Sequence, residues 1–167
     1  MEIRPLTRHD AEAFSRLRRE ALQTEPLAFT ESLVEHQAKS REQIAVSLGS
    51  GQEENFVVGA FKDTELVGIT GFFRLPKEKT RHKGCIWGVY IKPGFRGKGV
   101  AQSLLQTVLE QARPQPGLEQ IILAVSTGRA AARKLYLSLG FEPYCVEPHA
   151  LKVDGVYVDE EWMSLDV

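Results

Sequence analysis

The spacing of hydrophobic positions divides the chain into strand-like and helix-like stretches. Asn55 to Phe61 and Leu66 to Arg74 are rich in β-branched, aromatic and small residues, and Lys62-Asp63-Thr64-Glu65 between them predicts a hairpin. Cys85 to Ile91 is a further apolar strand, closed by Pro93-Gly94. From Val100 the period changes to that of a helix. Val100, Ala101, Leu104, Leu105, Val108, Leu109 and Ala112 make one continuous apolar face, and Pro114-Gln115-Pro116-Gly117 ends it. Ile121 to Val125 is apolar throughout, which suits a strand covered on both faces.

Weaker signals complete the order. Glu2 to Leu6 reads as a short strand, and Thr7 or Asp10 is placed to cap a helix carrying Ala13, Phe14, Leu17, Ala21 and Leu22 on one side. Arg16, Arg18 and Arg19 fall to its wet face. Pro26 interrupts, Ala28 to Ser32 reads as a loop or short helical turn, and a second helix is expected from about Ser40 to Leu48, stopping at Gly49-Ser50-Gly51. Lys77 to Lys83 lacks periodicity and reads as an exposed loop. A late helix turns Ala131, Ala132, Leu135, Tyr136 and Leu139 inward and stops at Gly140. Phe141 to Val146 and a hairpin about Asp154-Gly155 finish the chain. The order predicts a mixed α/β fold in one domain over residues 1–167, with a right-handed crossover between the Cys85 and Ile121 strands.

Composition narrows the partners. The net charge of −1 supplies no global attraction for nucleic acid or an anionic membrane surface, and no apolar run is long enough to span a bilayer. The first residues do not resemble a signal peptide, which points to the cytoplasm. Cys85 and Cys145 have no metal or redox spacing and are expected to be two buried thiols, and no metal site is predicted.

The most informative segment is Arg96-Gly97-Lys98-Gly99-Val100-Ala101, between a strand and the strongest helix. Glycines at a helix start let unpaired backbone N–H groups approach an anion, and the helix dipole adds positive potential there. The segment is not a P-loop, which needs Gly-x-x-x-x-Gly-Lys-Ser/Thr, and Gln102 stands where a dinucleotide fingerprint needs its third glycine. What it does match is Arg-x-x-Gly-x-Ala. A second segment, Ala132-Arg133-Lys134-Leu135-Tyr136-Leu137-Ser138-Leu139-Gly140-Phe141, matches Ala-x-x-Leu-Tyr-x-x-x-Gly-Phe.

Together these segments resemble the GNAT superfamily of acyl-CoA-dependent N-acetyltransferases. The resemblance implies a mostly antiparallel mixed sheet, flanked by helices and splayed between the Cys85–Ile91 and Ile121–Val125 strands. It implies acetyl-CoA as donor, with Val89, Tyr90 and Ile91 offering backbone groups to the pantetheine arm. Gly97, Lys98, Gly99, Val100, Ala101 and Gln102 would surround the pyrophosphate, flanked by Arg96. Tyr136 would be the general acid for the departing thiolate. Phe29, Glu31 and Trp87 fall where an amine acceptor would bind. A small-molecule amine is favoured over a protein acceptor, and monomer and homodimer both stay open.

The pattern also departs from the family. Arg129 stands where many members have Asn, and either reaches a phosphate or faces solvent. Members with a carboxylate base carry it at the places occupied here by Cys85 or Ala124, which leaves Glu31, His82 and His149 as other bases, or ordered water carrying the proton to bulk. Tyr136 read alone fits a core tyrosine, Trp87 and Tyr90 fit either pocket or core, and Asp159-Glu160-Glu161 reads as a solvated charge run. The missing base keeps a rival open: a non-catalytic acyl-CoA sensor or interaction module on the same fold.

Overall fold

The computed structural model of the chain describes residues 1–49 and 53–167. Seven strands form one sheet in the order β1-β2-β3-β4-β5-β7-β6. They are β1 (Glu2–Pro5), β2 (Asn55–Lys62), β3 (Glu65–Arg74), β4 (Lys83–Ile91), β5 (Gln120–Ser126), β6 (Glu142–Val153) and β7 (Val156–Asp166). The helices are α1 (Ala11–Thr24), α2 (Leu33–Gln37), α3 (Arg41–Gly49), α4 (Val100–Ala112) and α5 (Ala130–Ser138). This is the mixed, mostly antiparallel sheet flanked by helices that the sequence predicts.

Two apolar layers sandwich the sheet. One face packs Leu104, Leu105 and Val108 of α4 against Val58, Phe72 and Ile121. The other packs Phe14, Leu17 and Ala21 of α1 against Val57, Ile69 and Tyr90. Asp10 stands at the N-cap of α1 but makes no side-chain cap to it; its carboxylate instead reaches back across the 3-10 turn Arg8–Asp10. The Asp10 carboxylate accepts hydrogen bonds from the Thr7 N–H at 2.8 Å and from Arg4 at 2.9 Å, which hold its pKa down to about 2.

Every neighbouring pair in the sheet is antiparallel except β4 and β5. Those two run parallel and pair only from Lys83 to Cys85 against Gln120 to Ile122. Beyond Cys85 they diverge, which is the predicted splay. The β5-facing edge of Ile86–Ile91 is left without a strand partner.

A bulge shapes the same stretch. Ile69 pairs with Tyr90 and Gly71 with Trp87, so Gly88 and Val89 together oppose Thr70. Gly88 sits at φ +67°, a left-handed conformation that glycine adopts without steric cost. The extra residue shifts the alternation. Trp87 and Tyr90 pack with the α1 layer, while Ile86, Val89 and Ile91 pack with the α4 layer.

Several expectations need correction. Leu33–Gln37 is helical, started by Ser32, whose Oγ accepts from the Glu35 N–H while the Glu35 carboxylate accepts from the Ser32 N–H. Such short local capping outweighs the absence of a long apolar stripe. The Lys77–Lys83 stretch contains a turn of 3-10 helix at Glu78–Thr80, and β6 runs to Val153 across two shifts of register against β7, at Pro143–Cys145 and Glu147–Leu151. Both cysteines are free thiols as expected, but Cys145 is exposed on β6 and Cys85 only half-buried. The expected helix stop at Ser50-Gly51 lies outside the described residues.

Candidate active site

The splay opens a passage through the sheet, made of three adjoining cavities. The first, of about 490 Å³, lies between the end of β4 and the start of α5, with Val89, Tyr90, Ile91, Arg96, Arg129 and Ala132 in its wall. The second is a throat of about 120 Å³ between Gly88, Val89, Ala124, Val125 and Tyr136. The third, of about 790 Å³, opens on the α1 face between Arg18, Phe29, Glu31, Trp87, Glu160 and Trp162. Phe29 touches all three, and Trp87 spans the throat and the third cavity.

The glycine turn follows the first cavity. Gly97 and Gly99 have φ of +72° and +78°, and a side chain placed on either would meet open space within 4 Å. No side chain caps α4, whose N-cap is Gly99. The first N–H groups of the helix therefore face outward beside an open surface. Val100 turns its side chain into the core, so only its backbone belongs to the turn. The Arg96 Nε donates to the Ile91 carbonyl at 2.9 Å, and Lys98 donates to the Gly94 carbonyl at 2.9 Å.

Arg129 is not simply solvated. Its guanidinium and that of Arg96 share the Glu25 carboxylate, Arg96 at 3.1 Å, on the wall of the first cavity. Burial pushes the Glu25 carboxyl up, but the two arginines outweigh it and hold it below its ordinary range. This trio carries a net charge of +1.

In the throat Tyr136 is buried, its ring edge-on to Phe141 with centroids 6.1 Å apart. Burial pushes its phenol up to about 12, so the hydroxyl keeps its proton throughout the physiological range. Tyr90 does not reach the third cavity. Its hydroxyl donates to Glu20 at 3.0 Å, and its ring packs with the α1 layer.

The third cavity gathers residues whose sequence spacing does not mark them for a site. Arg18, assigned to the wet face of α1, is only 4% exposed and donates from Nε to Glu31 at 3.0 Å. Glu31 also binds Lys39 and lies 3.6 Å from His36; burial pushes its carboxyl up, but Lys39 and Arg18 outweigh it and hold it below the ordinary range. An acid so committed is a poor proton acceptor. Burial pushes the Cys85 thiol up to about 11, which keeps it protonated. His82 and His149 line none of these cavities; His149 is stacked on Tyr157 on the β6–β7 hairpin.

Glu160, from the supposed solvated run, is buried in the cavity wall. It pairs across from Ser126, one alternation along from the Trp162–Ala124 pair, so its side chain shares their face. Burial, then the Glu147 charge, push its carboxyl above the ordinary range. Its neighbours in sequence are occupied elsewhere: Glu161 binds Arg133 at 2.6 Å, and Asp159 accepts from the His149 N–H. Only the alternation of β7 separates Glu160 from them, and a charge run obscures that alternation.

Among known proteins, the sequence profile of the acetyltransferase (GNAT) family matches residues 14–141. The chain belongs to this family. It is 37% identical over 79 residues to an L-methionine sulfoximine/L-methionine sulfone acetyltransferase of Pseudomonas aeruginosa, a stretch covering 47% of this chain and 45% of that protein. The chain therefore matches less than half the length of that curated relative. In fold it follows a GNAT-family acetyltransferase from Streptococcus pneumoniae, with TM-score 0.87, 22% identity and 99% of each chain covered. It also follows a phosphinothricin acetyltransferase from Sinorhizobium meliloti solved with acetyl-CoA, with TM-score 0.83, 19% identity and coverage of 99% of this chain and 88% of that one.

Proposed function

We propose that the protein moves an acetyl group from acetyl-CoA to a primary amine by direct transfer. The observation that carries this reading is the run of adjoining cavities: Arg96 and Arg129 in the wall of the first, a buried tyrosine in the throat, and a further cavity with an ionisable wall beyond it.

The residues fit the donor. Open space at Gly97 and Gly99 admits a pyrophosphate to the N–H groups of Gly97 to Gln102, with Arg96 and Arg129 alongside. The unpaired edge of Val89 to Ile91 offers backbone partners to the pantetheine arm. When bound, acetyl-CoA supplies an activated thioester. A backbone N–H near the Gly88 bulge polarises its carbonyl oxygen as the amine attacks. The carbon–sulfur bond breaks, and Tyr136 gives its proton to the leaving sulfur. Glu160 takes the proton released by the nitrogen, the role that Cys85 and Ala124 cannot fill.

The small-molecule amine remains the favoured acceptor. The relative from Pseudomonas aeruginosa is named for amino-acid derivatives, and Trp87 and Trp162 line the third cavity. Two free thiols suit a reducing compartment such as the cytoplasm. Among the described residues no helix is long and apolar enough to cross a membrane. That β1 to β7 all belong to one sheet supports reading residues 1–167 as one domain.

An amine screen that follows free thiol from acetyl-CoA tests the reading. Transfer is expected, and Tyr136→Phe should lower kcat by about 10²-fold while leaving acetyl-CoA affinity unchanged. Tight acetyl-CoA binding without transfer to any amine would favour the sensor instead.

A further inference from the structure

Arginine is rarely buried without full pairing. The Arg18 side chain on α1 is buried in the wall of the large cavity, with its Nε on Glu31 and its guanidinium carbon 4.7 Å from the Phe29 ring centroid and 5.6 Å from that of Trp87. Its Nη1 is shut off from solvent and has no hydrogen-bond partner among the described residues.

Glu31 is engaged by other groups and makes no hydrogen bond to that donor. One of its oxygens serves Arg18 Nε, and the other faces Lys39 and His36. Burial holds the His36 imidazole below its ordinary 6.5, so it adds no positive charge at neutral pH. Arg18 remains charged, because a guanidinium does not give up its proton in a protein. Arg18, Lys39 and Glu31 therefore sum to +1, with one buried donor still unused.

The position of that donor is informative. Nη1 lies 3.3 Å from where a Cβ on Gly88 would stand. Gly88 borders both the throat and the large cavity. The free donor is thus at the inner end of the cavity, next to where the proposed chemistry occurs. The flanking rings of Phe29 and Trp87 fix the plane of the guanidinium. Glu160, in the lining of the same cavity, offers a carboxylate to a positively charged nitrogen.

We infer that the acceptor is an amine carrying a carboxylate close to its nitrogen, with Arg18 Nη1 as the anchor for that carboxylate. This rests on the reading of the large cavity as the acceptor site. A free amino acid fits the pairing of charges: carboxylate toward Arg18, amino group toward the throat and Glu160. Polyamines and protein lysines lack the adjacent anion and leave Nη1 unused.

The test uses the twenty L-amino acids with a set of β- and γ-amino acids, each paired with its carboxamide and its decarboxylated amine. Transfer is read as thiol release from acetyl-CoA, and binding is read by calorimetry on protein saturated with CoA. At least one free acid should bind and react, with kcat/KM about 10²-fold above its carboxamide. Arg18→Lys should remove most of that preference while acetyl-CoA still raises the melting temperature, which confirms the fold. The wild-type comparison stands alone if that variant does not fold.

Transfer without preference for the acid overturns the anchor and leaves the acetyltransferase reading intact. Binding of acids over amides without any transfer upholds the anchor and overturns the transferase reading. If no free acid binds or reacts, the anchor is overturned.

Discussion

The turn that precedes α4 and the wall formed by Arg18, Trp87 and Glu160 differ in kind: one is made of backbone and the other of side chains drawn from α1, β4 and β7. The turn is contiguous in sequence and depends on two glycines at positive φ. The wall collects residues from near both ends of the chain. On the proposed reading, a backbone cradle would recognise a group common to all CoA thioesters and tolerate any side chain that preserves the path. A wall of side chains can be rebuilt one residue at a time, so acceptor preference would be set there. Damage to the turn should therefore appear in donor affinity, and damage to the wall in acceptor kinetics.

Gly99→Glu should give the largest effect. It puts a carboxylate beside the site proposed for the pyrophosphate and forces an L residue to φ +78°. Left-handed backbone costs such a residue about 1–2 kcal/mol, and like charge at the cradle adds to that. Because the added side chain meets open space, the fold should survive. Acetyl-CoA affinity should fall by about 10²-fold or more in calorimetry. Gly99→Asn separates the two causes: asparagine tolerates the left-handed region, so its loss should be only a few-fold. An unaltered Kd in Gly99→Glu would move the donor away from this turn.

The same contrast explains what the sequence made legible. The Arg96–Ala101 turn and the Tyr136 helix are local patterns, so strand, turn and helix could be placed from spacing alone. The splay followed from the family resemblance. The Gly88 bulge did not, because one extra residue in an apolar strand leaves no mark in composition. It alone decides that Trp87 faces the large cavity while Val89 faces α4. Arg18 was misplaced because α1 carries three arginines close together, and helical spacing does not tell which one lies over Phe29 and Trp87. Glu160 was hidden in the same way between two acids with partners of their own.

Glu160→Gln comes next and tests the acceptor wall. As a base Glu160 works ionised, so wild-type transfer should climb as pH rises past its elevated pKa. The variant should lose about 10²-fold in kcat/KM, along with that limb of the profile, while binding acetyl-CoA normally. Stability should move the other way. A carboxyl whose pKa is raised by folding stabilises the native state below the unfolded value, and that contribution is lost as pH rises through the folded value. Near pH 8 the variant should therefore melt about 2 °C higher than wild type, and near pH 4 the two should coincide. An unchanged pH profile would remove Glu160 from the proton path.

Arg129→Gln should have the smallest effect and probes the donor side where side chains do contribute. Arg129 and Arg96 share Glu25, so the trio's charge would fall from +1 to zero in the variant. The Arg129 side chain is 36% exposed, where a charge contact is worth about 0.2–1 kcal/mol. The expected loss of acetyl-CoA affinity is therefore about 1.4- to 5-fold at low salt. It should shrink as salt screens the contact, with a Debye length of about 10 Å at 0.1 M. Acceptor KM should not move. Equal Kd in both proteins at low salt would tie Arg129 to Glu25 alone and leave the cradle to Arg96 and the backbone. A loss far above this range would mean that the turn depends on side chains as the opposite wall does, and the contrast between the two would fail.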